Sequence, residues 1–120
     1  MKCLTREEFL KRDGLERVAV ELSDGEGVFV RMLTGEERSN VEKRALKVDA
    51  KDDPGTFRWL MIQATTIDAG GRQLFTKDDR PRVMALAADT IEKLFEASCK
   101  LNGLTDRDVE DLEKNSAASR

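Results

Sequence analysis

Five short patterns constrain this 120-residue chain more than any other feature of it. Each sets a Thr or Asp three positions ahead of an acidic residue: Thr5 with Glu8, Thr34 with Glu37, Thr76 with Asp79, Asp89 with Glu92, and Thr105 with Asp108. A helix leaves its first N–H groups without partners inside the helix, and a Thr or Asp oxygen can accept from them. The acidic residue reaches back to the N–H of the cap and also favours the positive end of the helix dipole. So many helix starts in so short a chain predict a mostly helical fold.

Apolar spacing fills in the elements. A first helix is expected from about Arg6 to Arg12, ended by Asp13-Gly14. Arg17 to Leu22 and Val28 to Leu33 are β-branched runs flanking Ser23-Asp24-Gly25-Glu26-Gly27, which predicts a β-hairpin. Val18, Val20 and Leu22 fall on one face, as do Val28, Val30 and Met32. A lone hairpin is marginal in water, so that face must pack on helices or on another chain. A charged helix follows, from about Gly35 to Val48, with Val41, Ala45, Leu46 and Val48 as a narrow apolar side and Glu-to-Lys or Glu-to-Arg pairs supporting it. Asp49 to Gly55 reads as a linker or turn.

The most apolar helix, about Thr56 to Thr66, carries Phe57, Leu60, Met61 and Ala64 as a stripe that Trp59 and Ile62 widen. It is expected at the centre of the core. Ile67 to Phe75 is expected to be a Gly-Gly turn with short extended arms. Helices are then expected from about Lys77 to Ala87, with Pro81 in the first turn, and from Thr90 to Leu101. The second places Ile91, Leu94, Phe95, Ser98 and Cys99 on one face. Asn102-Gly103 stops it. A last short helix spans about Asp106 to Lys114, anchored by Val109 and Leu112. The fold class is therefore α+β: a mostly helical single domain over residues 1–114 with one N-terminal β-hairpin, followed by a flexible polar tail at 115–120.

Composition narrows function. Charged residues make up 38% of the chain, against about 25% in an average domain, while the net charge is only −3 and aromatics are 5%. The signs are interspersed and no basic stripe forms, which argues against nucleic acid as a partner. No apolar run approaches a membrane span, and the first residues lack a signal-peptide core, so the expected place is the cytosol, with no membrane partner. Cys3 and Cys99 match no zinc or redox spacing and are expected as thiols, with Cys99 a small core residue.

The chain has no His and no Tyr. A Ser-His-Asp or Cys-His set is therefore impossible within it, and an enzyme is the least favoured class. Asp52-Asp53, Asp78-Asp79 and the group Asp106, Asp108, Glu110 and Asp111 offer oxygens for Mg²⁺ or Ca²⁺. They sit where helix starts need acids, and the last group lacks the glycine and terminal Glu of a calcium loop, so capping is the favoured reading and no metal or cofactor is expected. Gly25-Glu26-Gly27 and Gly70-Gly71 continue into no phosphate loop and read as turns.

Three stretches taken together resemble the tail assembly chaperone family of siphophages. They are Val28 to Arg38, Asp68 to Asp79, and Ile91 to Leu104 followed by Val109 to Ser116. The resemblance implies a non-enzymatic protein of the host cytoplasm, absent from the mature virion. Its implied partners are the aggregation-prone tape measure protein, which it keeps soluble, and the tail tube protein that polymerises around it. The resemblance also implies a second, longer form made by ribosomal frameshifting, for which the polar end here would suit the shorter one. Partner binding is assigned to Trp59, Phe95, Leu104, Val109 and Leu112, with homo-oligomers expected through the hairpin or the terminal helices. The alternative is a small phage or bacterial adaptor that binds another protein. A transcriptional regulator fits less well, for want of a basic recognition helix.

Overall fold

The computed structural model describes residues 1–12, 14–47 and 55–112 in full, and the backbone of 113–118. Asp13 in the first helix stop, Val48 at the expected end of the charged helix, the linker from Asp49 to Pro54, the Asp52-Asp53 pair and the last two residues of the polar end lie outside the described residues. The elements run α1 (Arg6–Lys11), β1 (Arg17–Ser23), β2 (Glu26–Arg31), α2 (Gly35–Leu46), α3 (Thr56–Thr65), β3 (Thr66–Ile67), a 3₁₀ turn (Lys77–Asp79), α4 (Arg80–Met84), α5 (Ala88–Leu101) and α6 (Asp106–Ala118). The fold is α+β and mostly helical, as the sequence predicts.

The sheet has a third strand beyond the hairpin. β1 and β2 pair antiparallel from Arg17 with Arg31 to Ser23 with Glu26, with an irregularity between Glu21 and Ser23. β3 adds to the other side of β2, pairing Phe29 with Ile67 and Val30 with Thr66. The Gly-Gly turn that follows β3 does have extended arms: Ile67 bridges Gln73. Asp68 holds this turn, its Oδ1 accepting from the N–H groups of Gly70 (2.9 Å) and Arg72 (3.0 Å). One face of the sheet lies against α5, and Val20, Leu22, Val28 and Val30 turn that way into the core. Val18, expected on the same face, is 42% exposed because it sits near the open start of the strand. On the opposite face the Arg17 guanidinium covers the Phe29 ring at 4.3 Å.

As its sequence predicts, α3 is central. Phe57, Trp59, Leu60, Met61 and Ile62 are all buried, and the helix packs between α2 and α5. Val41 and Ala45 are the residues α2 buries. Its neighbouring Leu46 remains exposed. On the same helix Arg38 pairs with Glu42 at 3.0 Å, while Glu37 turns to Arg31 of β2 instead. Thr65 and Ser98, both fully buried, share a hydrogen bond of 2.9 Å across α3 and α5. The Thr65 hydroxyl also donates to the Met61 carbonyl (2.6 Å), which keeps this polar pair compatible with a dry interior.

Four of the five capping patterns form boxes, on α1, α2 and α6 and at the 3₁₀ turn. At the 3₁₀ turn, the Asp79 carboxylate accepts from the Thr76 N–H at 2.8 Å. The fifth fails. The Ala87 carbonyl accepts from both Thr90 (3.0 Å) and Ile91 (3.2 Å), so α5 begins at Ala88 without a side-chain cap and Asp89 lies inside its first turn. The expected helix over Lys77 to Ala87 is likewise shorter, because the chain breaks after Met84 and turns before α5. α6 continues through Ala118, four residues past the expected stop at Lys114, so part of the segment read as a loose polar end is helical. No described helix is long and apolar enough to cross a membrane.

α1 buries none of its residues. The Cα radius of gyration is 15.7 Å, above the roughly 14 Å of a compact chain of this length.

Candidate functional site

The α5–α6 junction is built by backbone chemistry that the sequence announces. Gly103 takes φ +71°, which glycine adopts without strain. Its N–H donates to Lys100 O (3.2 Å) and the N–H of Leu104 donates to Cys99 O (2.8 Å), the paired bonds of a Schellman cap. The Leu104 side chain is thereby folded back over the end of α5. Thr105 caps α6 immediately afterwards, with Asp108 N–H donating to Thr105 Oγ1 at 3.1 Å and Thr105 N–H to Asp108 at 2.9 Å. The Thr105 N–H first, and the Thr105 hydroxyl second, hold the Asp108 carboxyl below the ordinary carboxylate range.

Between the two helices lies an open groove of about 830 Å³. Phe95, Cys99, Leu104 and Val109 supply its apolar lining, and Arg58, Glu92, Glu96, Lys100, Asp106 and Glu110 its charged rim. Phe95 is fixed from two sides: Phe57 meets it edge-on at 6.0 Å, and the Arg58 guanidinium lies over its ring at 4.4 Å. Arg58 is in turn paired with Glu92. A smaller cleft of about 230 Å³ continues from Leu104 past Arg38, Glu42, Asp108, Asp111 and Leu112.

Of the five residues assigned to partner binding, Phe95, Leu104 and Val109 meet in the main groove and Leu112 lines the adjoining cleft. Trp59 does not join them. It is 3% exposed and packs within the core, 6.4 Å from the Phe75 ring, so it is a core residue. Phe95 and Leu104 are mostly buried as well and offer the groove an edge rather than a whole side chain. The charged rim was not anticipated from sequence, although Glu92, Glu96 and Lys100 recur every four residues along α5, the spacing of one helical stripe.

The acidic groups do other work. Asp108 and Asp79 are cap acceptors, and among the described residues no three His, Cys, Asp or Glu side chains converge as a metal site would require. The groove sets apolar side chains beside charged residues of both signs. No family model, no curated protein and no solved structure matches this chain.

Proposed function

We propose that this protein is a non-enzymatic phage tail assembly chaperone. It binds amphipathic helices of the tape measure protein, keeps that protein soluble in the host cytoplasm and assists tail tube polymerisation around it, without remaining in the virion. The observation that carries the reading is the α5–α6 groove, where Phe95, Leu104 and Val109 line an open channel between charged rims. An amphipathic helix can bury its apolar stripe there while its flanks meet the charges, which is how helix-in-groove partners are held. The last of the three stretches that resemble the tail assembly chaperone family forms this site. Its first part, Ile91 to Leu104, supplies most of α5 and its stop, and its second, Val109 to Ser116, lies in α6.

The test is co-expression of the tagged chain with the tape measure and tail tube proteins of the same phage. The expected result is a soluble tape measure protein that co-purifies, and loses that solubility when Glu92 and Glu96 are both replaced by Lys. A tape measure protein that stays insoluble beside a well-folded chain rejects the chaperone reading and leaves the adaptor.

A further inference from the structure

The first twelve residues present a problem that the folded body does not solve. α1 has a full capping box, Thr5 with Glu8. Leu4 and Phe9 stand at the two positions of a hydrophobic staple, just before the cap and in the first turn. Local signals are therefore concentrated on a helix of only six residues, far below the length that holds a helix by itself in water. Yet this helix buries none of its residues: Phe9 is 65% exposed and Leu10 60%. Exposed bulky side chains clustered on an ordered element mark a docking surface.

Charge identifies the occupant's counterpart. Residues 2–12 carry four basic side chains, Lys2, Arg6, Lys11 and Arg12, against two acidic ones, Glu7 and Glu8. The α5–α6 groove has the opposite balance, with Arg58 and Lys100 against Glu92, Glu96, Asp106 and Glu110. No residue of the arm lines this apolar groove, while Phe9 and Leu10 of the arm are exposed. Within one chain the arm does not sit in the groove, so the pairing lies between copies.

We infer that α1 of one copy docks in the α5–α6 groove of a second copy, inserting Phe9 and Leu10 over Phe95, Leu104 and Val109. A reciprocal exchange uses the same two surfaces on each protomer and closes as a twofold dimer. The inference uses the groove described above but does not depend on the tape measure protein as its ligand. The dimer and a helical partner would compete for one site, so the arm also sets when the groove is open.

The experiment is sedimentation velocity on the full chain alone, over a wide concentration range, beside the variant Phe9→Asp/Leu10→Asp. Because α1 buries nothing, the variant's far-UV circular dichroism and thermal transition stay those of the parent. The expected result is a concentration-dependent dimer in the parent and its loss in the variant. A groove-rim variant, Glu96→Lys, weakens the dimer in the same way while leaving the arm intact. A chain that is monomeric at every concentration overturns the inference, as does a dimer that survives Phe9→Asp/Leu10→Asp. A dimer that behaves as expected, in a protein that fails to solubilise the tape measure protein, leaves this inference standing and removes the chaperone reading alone.

Discussion

The Asn102 side chain accepts a hydrogen bond from the Leu33 N–H at 2.7 Å, across 69 positions of sequence. Its amide nitrogen donates to Ser98 O (2.8 Å) and to Arg31 O (3.4 Å), and its own carbonyl accepts from Arg38 at 2.9 Å. One residue at the end of α5 thus fixes where the sheet hands the chain to α2. It also fixes the point from which α6 and the groove depart.

Replacing Asn102 with Ala leaves the Leu33 N–H buried without its acceptor, which costs about 1–3 kcal/mol. Urea unfolding of Asn102→Ala is expected to show a lower midpoint with an unchanged slope. Asn102→Asp keeps an acceptor for Leu33 but turns a buried carboxylate oxygen toward the Ser98 and Arg31 carbonyls, so it should lower the midpoint at least as far. An Asn102→Ala variant as stable as the parent would show that these hydrogen bonds carry little of the junction.

Gly27 has no room for a side chain: a Cβ there would lie 2.1 Å from the Val20 carbonyl oxygen. Gly27→Ala must push the two strands of the hairpin apart, and the expected loss is about 1–3 kcal/mol in thermal unfolding. Gly35→Ala is the control. A Cβ at Gly35 meets nothing within 4 Å, and its stability should stay within about 1 kcal/mol of the parent.

Acid should weaken the joint between β2 and α2. Glu37 holds Arg31 through paired contacts of 2.9 and 2.8 Å and accepts from the Thr34 N–H at 3.0 Å. The Arg31 hydrogen bonds first, and the Thr34 N–H second, lower its pKa from 4.5 to about 2. A lowered folded-state pKa means that this contribution is whole above the unfolded value and is lost as pH falls through the folded one. Parent stability should therefore decline between about pH 5 and pH 2, and Glu37→Gln should remove part of that decline. Glu37 is partly solvent-exposed, so screening keeps the effect modest. Equal acid limbs in parent and variant would assign the decline to other carboxylates.

Cys3 is exposed and Cys99 is buried beneath the groove. A thiol reagent should modify Cys3 rapidly in the native protein and reach Cys99 only slowly, with both reacting at once in denaturant. Faster labelling of Cys99 in Asn102→Ala would report loosening of the α5–α6 junction. Equal native rates at the two thiols would contradict the burial of Cys99.

Much of this was legible because helix caps are local. Thr5, Thr34 and Thr105 each bond a residue three positions away, so a short stretch contains the whole interaction. Asp89 shows the limit of the same signal. Its pattern with Glu92 was present, but Ala87 could open α5 with backbone alone, and the helix started two residues earlier. Trp59 failed for a different reason. It packs beside Phe75, which the Gly-Gly turn brings back alongside β3.

The sequence by itself determined the helical character, the hairpin, the central place of α3 and the stop at Gly103. Each follows from side-chain period or from contacts within a turn or two. Tertiary structure decided which apolar residues meet a partner and which meet each other. Phe57, Phe95 and Arg58 stack together only because α3 and α5 are packed side by side. Asn102, just before the Leu104 that lines the groove, is tied to Leu33 by a hydrogen bond across 69 positions. Those distances join residues from opposite ends of the chain, and no local pattern encodes them.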